Sequence, residues 1–280
     1  MRKFPSPLAG LTPLLSHLVL LIGAAFILLP FFWMVLTSIR SPSEIFSVSF
    51  WPIPREFYGW ENYGEAFGMV PLLRFMLNGV IVCLGILVVQ LLVAVPAAYA
   101  LAKLPFAGRR LLFALVVGAL CVPMQVLALP LFMGLAEFNL LNTYFAMMLP
   151  FFLSVFAIFL FRQTFKSYPD EIIQAARLDG FTELEICWRL VAPSALPAIS
   201  AFAVFSLVAH WNDLYWPMIV VSDTKLAPPP LGMLFFTNAE AGSNYGALMA
   251  GATVLTAPLV VAFLFARRQF IQGITMTGVK

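Results

Sequence analysis

The sequence predicts an all-α membrane protein of six transmembrane helices, and three observations carry that prediction. Of the 280 residues, 62% are hydrophobic and only 10% are charged, with a mean hydropathy of +0.95. The apolar residues fall into six long runs spread over nearly the whole chain. The basic residues crowd into alternate connections between those runs. Soluble domains average roughly 45–50% apolar and about 25% charged residues, so lipid is the natural solvent for the excess, and residues 1–280 are read as one membrane domain.

A membrane helix needs about 20 mostly apolar residues. The runs that qualify are 14–38, 75–101, 111–135, 143–161, 198–221 and 247–266. The first follows Arg2 and Lys3 as a signal peptide does. At about 25 residues it is too long for an h-region, and it ends in Pro30–Phe31–Phe32–Trp33 rather than small residues, so it is expected to be a retained span. Proline recurs inside the runs, at Pro30, Pro96, Pro123, Pro130, Pro150, Pro217 and Pro258. Proline costs about 3 kcal/mol inside a soluble helix, but in a bundle neighbouring helices and water satisfy the freed carbonyl.

Lys and Arg counted in the connections set the orientation. With the N-terminus inside, twelve of the 16 basic residues lie inside. These are Arg2, Lys3, Lys103, Arg109, Arg110, Arg162, Lys166, Arg177, Arg189, Arg267, Arg268 and Lys280. The outside connections hold Arg40, Arg55, Arg74 and Lys225. Both termini are therefore expected in the cytoplasm. Of the outer connections, 39–73 carries Trp51, Pro52, Pro54, Tyr58, Trp60 and Tyr63, aromatic residues suited to the membrane surface. The other, 222–246, holds Pro228–Pro229–Pro230, which favours an extended segment.

The net charge of +3 and the scattered basic residues give no reason to expect nucleic acid. Cys83 and Cys121 sit in apolar runs and Cys187 in an inside connection, so no disulfide framework is expected. His17 and His210 lie far apart and outside any metal-binding motif, and there is no G-x-S-x-G elbow. None of the five lysines follows a glycine, so the phosphate loop G-x-x-x-x-G-K-[ST] is missing and any ATP chemistry belongs to another chain.

The inside connection 162–197 is too long for a tight hairpin and too organised for a linker. Ser167 is a candidate helix cap, Pro169 suits a first turn, and Asp170 and Glu171 complement the positive end of the dipole. A helix would run through Leu178, with Gly180 as a left-handed stop. Thr182 and Glu185 form a T-x-x-E capping box for a second short helix, along which Leu184, Cys187, Trp188 and Val191 recur at helical spacing. Pro193 and Pro197 would break the chain before it re-enters the membrane. One reading of such a hairpin is an amphipathic element lying in the headgroups. The other is docking: Ala175 and Ala176 leave a thin shaft, which fits a helix seated in a protein groove.

The run Tyr168–Pro169–Asp170–Glu171–Ile172–Ile173–Gln174–Ala175–Ala176–Arg177–Leu178–Asp179–Gly180, with Pro193 and Pro197 beyond it, resembles the "EAA" cytoplasmic loop of bacterial ABC importer permeases. The resemblance covers most of the chain and is nearest the carbohydrate-type permeases of the maltose-transporter kind. Glu61–Asn62–Tyr63, residues 97–102, Leu140–Leu141–Asn142–Thr143, Trp211–Asn212–Asp213, Trp216–Pro217, residues 272–275 and residues 278–280 support it. It implies a type I importer permease fold with cytoplasmic coupling helices, in which Glu171, Gln174, Ala175, Ala176, Asp179, Gly180, Phe181 and Pro193 engage a cytoplasmic ATPase. It implies as partners two ATP-binding subunits carrying ATP and magnesium, a second and non-identical permease, and an external solute-binding protein, in an inner membrane. The tail Gly278–Val279–Lys280 is a candidate for a further ATPase contact. Two positions depart from the pattern: Gln174 stands where the family has glutamate, which removes a charge, and Phe181 stands where it has alanine.

Inside the apolar runs, Asn78, Gln125, His210, Asn212 and Asp213 are candidates to line a translocation path or to face the partner permease. A membrane-buried Asp costs about 2.5–3.5 kcal/mol on insertion scales, so Asp213 should face protein, water or the interface. Asn78, Gln90 and Gln125 also fit bonds between helices, and His17 fits a structural or partner-facing role. The reading set against an importer subunit is a self-contained six-span secondary transporter, which would favour internal repeats and coupling carboxylates. Asp213 is the one candidate acid, and no repeat is seen. An intramembrane enzyme is disfavoured by the missing catalytic pairs.

Overall fold

The computed structural model describes residues 11–47, 53–240 and 244–275, with side chains described for 15–47, 53–236 and 244–264. Among the described residues the chain is helical, with no strand. It divides into two compact units, Met1–Val70 with Phe236–Val254, and Pro71–Phe235 with Leu255–Lys280.

In the first unit, α1 (Leu11–Thr37) is a long apolar helix whose described side chains, from residue 15 on, are almost all exposed, as lipid or another subunit requires. The chain then turns into α2 (Gly59–Met69). The turn is held by Asn62, fully buried, whose Nδ2 donates to the carbonyls of Ser38 (3.0 Å) and Arg40 (2.8 Å). Trp60 on α2 is 81% exposed, in keeping with an aromatic residue for the membrane surface. Trp51 and Pro52 lie outside the described residues.

The second unit is built around α3 (Leu72–Lys103), a 32-residue helix. At about 1.5 Å per residue it is some 48 Å long and overreaches a hydrocarbon core of about 30 Å. It retains Pro96 within an unbroken helix. Its C-terminal half packs with α7 (Val155–Lys166) and α10 (Leu196–Trp211) around Ala94, Ala98, Ala157, Phe161 and Phe202. The alanines explain the closeness of these helices: small residues allow the dispersion contacts that hold helices together in lipid.

Two expected spans are bent and a third is interrupted. Residues 111–135 form α4 (Arg109–Ala119) and α5 (Met124–Glu137) at 98°, with Pro123 as the N-cap residue of α5. Residues 143–161 form α6 (Tyr144–Phe151) and the start of α7 at 45°. Residues 198–221 end α10 at Trp211 and resume only in α11 (Tyr215–Val220). An apolar run reports the solvent and not the straightness of the helix, so hydropathy alone could not show these breaks. Of Pro228–Pro229–Pro230, the last two are helical and not extended. Pro229 opens α12 (Pro229–Glu240), using the tolerance of a first turn for a residue without an N–H. The last helix, α13 (Tyr245–Thr275), keeps Pro258 inside it.

Candidate functional site: the 170–194 hairpin and the polar break

Residues 170–194 fold as two short helices at a glycine corner. The first, α8 (Asp170–Leu178), opens on Pro169 as N-cap. Ser167 does not cap it. Ser167 ends α7, and its Oγ donates backwards to the Thr164 carbonyl at 2.7 Å. The corner has the geometry the sequence predicts. Gly180 adopts φ +86°. Its N–H donates to Arg177 O (3.1 Å) and that of Phe181 to Ala176 O (3.0 Å), the paired bonds of a Schellman stop. Phe181 packs on the cluster that contains Ala176, which supplies the apolar contact such a stop favours.

The second helix, α9 (Glu183–Ser194), begins with a complete Thr182–Glu185 capping box. It widens into a π-turn over Ile186–Val191, where the Ala192 N–H donates to Cys187 O. Pro193 therefore does not break the chain. A proline ring clashes with the carbonyl four residues back, and the wide turn moves that carbonyl aside. The break comes at Ala195, and Pro197 sits in the first turn of α10.

Both arms are fixed to the C-terminal end of α3. Lys103 Nζ reaches Asp170 Oδ1 at 2.5 Å and the Tyr168 carbonyl at 2.6 Å. Tyr99 Oη donates to Glu183 Oε2 at 2.6 Å, and Arg177 Nε donates to the other oxygen, Oε1, at 2.7 Å. The Arg177 hydrogen bond holds the Glu183 carboxyl below the usual carboxylate range, against the opposing effect of partial burial. Ile173, Ala176, Ile186, Cys187 and Val191 face the bundle and are buried.

This arrangement sorts the expected coupling residues. Glu171, Gln174, Ala175, Asp179, Gly180 and Pro193 are exposed and Phe181 is half-buried. Ala176 is turned inward at 6% exposure, so it seats the hairpin and is not on the outer face. On that face lies a residue the motif did not single out: Leu178, 90% exposed, with Ile172, Leu184 and Trp188 also open to solvent. Its place one residue before the cap, off the buried Ile173–Ala176 stripe, was the available signal.

The polar membrane candidates separate. Asn78 is buried and fully engaged with Lys225 O, Ala227 O and Tyr144 Oη, so it does not line an open path. Gln125 is exposed on a separate groove shared with Phe132 and Tyr215. His210, Asn212 and Asp213 cluster at the break between α10 and α11. There Asn212 donates to its own Val208 O (2.8 Å), and Asp213 Oδ1 accepts from Trp216 N (3.4 Å). His210 Nε2 lies 3.4 Å from Gln90 Nε2, and its ring packs against that of Phe151 with centroids 4.5 Å apart and the planes inclined at 54°. Gln90 also takes the Ser206 hydroxyl (2.6 Å) and donates to Phe151 O (2.9 Å). Beside them is a cleft of about 250 Å³ walled by Phe151, Phe156 and Phe205. Gly278, Val279 and Lys280 lie outside the described residues.

Residues 90–275, which contain this hairpin, match the family described as binding-protein-dependent transport system inner membrane component. The chain belongs to that family. It is 32% identical over 255 residues to the arabinooligosaccharides transport system permease protein AraQ of Bacillus subtilis, covering 90% of each chain. It is 36% identical over 203 residues to AraQ of Halalkalibacterium halodurans, covering 72% of each. With the sn-glycerol-3-phosphate transport system permease protein UgpE of Yersinia pestis it shares 29% identity over 92% of this chain and 94% of that one. Among solved structures, a chain of a bacterial ABC transporter involved in the import of the acidic polysaccharide alginate has the same fold, with a TM-score of 0.81, 21% identity, and coverage of 96% of this chain and 100% of that one. This membership favours a permease component of an ABC importer over a self-contained secondary transporter.

Proposed function

We propose that this permease component serves an ATP-driven importer for a sugar or related small polar solute such as a polyol or glycerol phosphate, and that the 170–194 hairpin is its mechanical input. The observation that carries the second part is Leu178, 90% exposed at the tip of a hairpin whose two arms are pinned to α3. Burying such a side chain in a partner's groove is worth about 1.5–3 kcal/mol, and the pinned arms deliver any push on the tip to the bundle. A separate pair of ATP-binding subunits, with their ATP and magnesium, supplies the push. A non-identical second permease completes the path, and an external binding protein delivers the solute. Both termini and the hairpin lie in the cytoplasm, by the excess of Lys and Arg on that side. All of residues 1–280 serve this one membrane domain. The names of the relatives, which include oligosaccharide and glycerol-phosphate systems, support the solute class.

The test is co-purification of the chain with its tagged ATPase and uptake in membrane vesicles. Leu178→Asp is expected to abolish both while leaving membrane insertion normal. Unchanged uptake would remove the hairpin from the mechanism. Binding assays on the external protein, with arabino-oligosaccharides and glycerol 3-phosphate as probes, decide the solute class.

A further inference from the structure

Helix α3 is gripped at its other end as well. Asn78, fully buried, donates both Nδ2 hydrogens, to Lys225 O and Ala227 O at 2.9 Å each, and its Oδ1 accepts from Tyr144 Oη at 2.6 Å. Arg74, one turn earlier, donates from Nε to the same Lys225 carbonyl at 2.8 Å. An amide that spends both donors on two carbonyls of one strap fixes the strap in position and orientation, and without it the buried Ala227 carbonyl would lose its partner. Immediately beyond the strap Pro229 starts α12, and it lies so close to α3 that a Cβ on Gly79 would meet its Cδ at 2.7 Å. No slack separates the strap from the helix.

Two expected spans are bent and a third is interrupted, but α3 runs unbroken from Leu72 to Lys103. From residue 78 to residue 103 it covers about 38 Å at 1.5 Å per residue, more than a hydrocarbon core of about 30 Å. We infer that α3 is a connecting rod, with the Asn78–Arg74 clamp making the Asp223–Ala227 strap move with the hairpin held by Tyr99 and Lys103. Asn78 and Arg74 are then positioning residues for the conformational step and not contacts for the solute. The inference rests on the reading of the hairpin as the ATPase-driven element.

The experiment follows both ends of the rod in the assembled importer in lipid nanodiscs. Single cysteines are introduced as Lys225→Cys on the strap and, separately, Ser194→Cys on the hairpin. The background is Cys121→Ser, because Cys121 is exposed while Cys83 and Cys187 are buried. Maleimide labelling rates are measured with and without ATP and vanadate. In the parent, nucleotide trapping is expected to change the rate several-fold at both positions. With Arg74→Ala and Asn78→Ala together, the change at 225 is lost and the change at 194 is retained. An undiminished change at 225 in that double variant overturns the inference. No change at 194 in the parent overturns the hairpin's coupling role, and the rod with it. If the double variant does not assemble, Arg74→Ala alone, at an exposed side chain, is expected to cut the response at 225 by at least half, and an equal response overturns the inference.

Discussion

Tyr99 and Glu183 stand 84 positions apart in the chain and are joined by a 2.6 Å hydrogen bond. The donor sits on the longest helix of its unit and the acceptor at the start of the hairpin's second arm. Removing the hydroxyl with Tyr99→Phe leaves Glu183 held by Arg177 alone. A net loss of about 1 kcal/mol is expected, read as faster amide exchange over residues 183–191 and a lower thermal midpoint of the solubilised protein.

The same carboxylate sets a pH response. Glu183 titrates at the ordinary carboxylate value when unfolded and lower when folded, because of Arg177. Its contribution is therefore complete above the ordinary value and is lost as pH falls through the lower folded value. Exchange protection over 183–191, corrected for intrinsic rates, should hold from neutral pH down to the usual carboxylate range and decline only below it. Glu183→Gln should show no acid step of this origin.

Gly180 is surrounded by open space, with nothing within 4 Å of a would-be Cβ, so its role is confined to its φ of +86°. Gly180→Ala should cost about 1–2 kcal/mol through the left-handed backbone alone. Gly180→Asn should cost less, because Asn visits that region more readily. Amide exchange at residues 178–182 measures both.

Two leucine-sized side chains on α8 make opposite predictions. Leu178→Asp changes an exposed position and should leave insertion and thermal stability within about 0.5 kcal/mol while preventing ATPase capture. Ile173→Asp places a charge at a site only 2% exposed and should destabilise the hairpin itself, seen as protease cleavage within 168–197.

Asp213 Oδ1 accepts from the Trp216 N–H at the start of α11. Asp213→Asn keeps an acceptor and should be close to neutral. Asp213→Ala should cost about 1 kcal/mol, the usual loss for a helix-start acceptor. Thermal unfolding of the two variants side by side separates this role from a charge requirement in transport.

Local chemistry made much of the hairpin legible in the sequence. The Thr182–Glu185 box and the Gly180 stop are each decided within about four residues, and both form as the sequence predicts. The six apolar runs likewise report a lipid solvent. What the sequence did not reveal depends on partners far along the chain. Tyr99 reads as part of an apolar run, Lys103 as a charge in an inside connection, and Asn78 as either a path residue or a bond between helices; only the fold brings Lys225 and Ala227, some 150 positions away, onto its amide. The breaks near 120–123, 152–154 and 212–214 were hidden because prolines are common in membrane helices and only some of them break one. Pro96 and Pro258 stay helical, while Pro123 begins a new direction.

The π-turn at Ile186–Val191 holds one residue more than an α-helix of the same rise. Deleting one of those six would let an ordinary helix close while the turns on either side keep their register, since the wide turn is what absorbs the extra residue. Phe202 would stay in the packed interior and Ser206 beside Gln90. The loss would be local: Pro193 would stand an ordinary turn above a carbonyl its ring cannot pass, so at this place one proline, and not the helix that follows, sets the length of the chain.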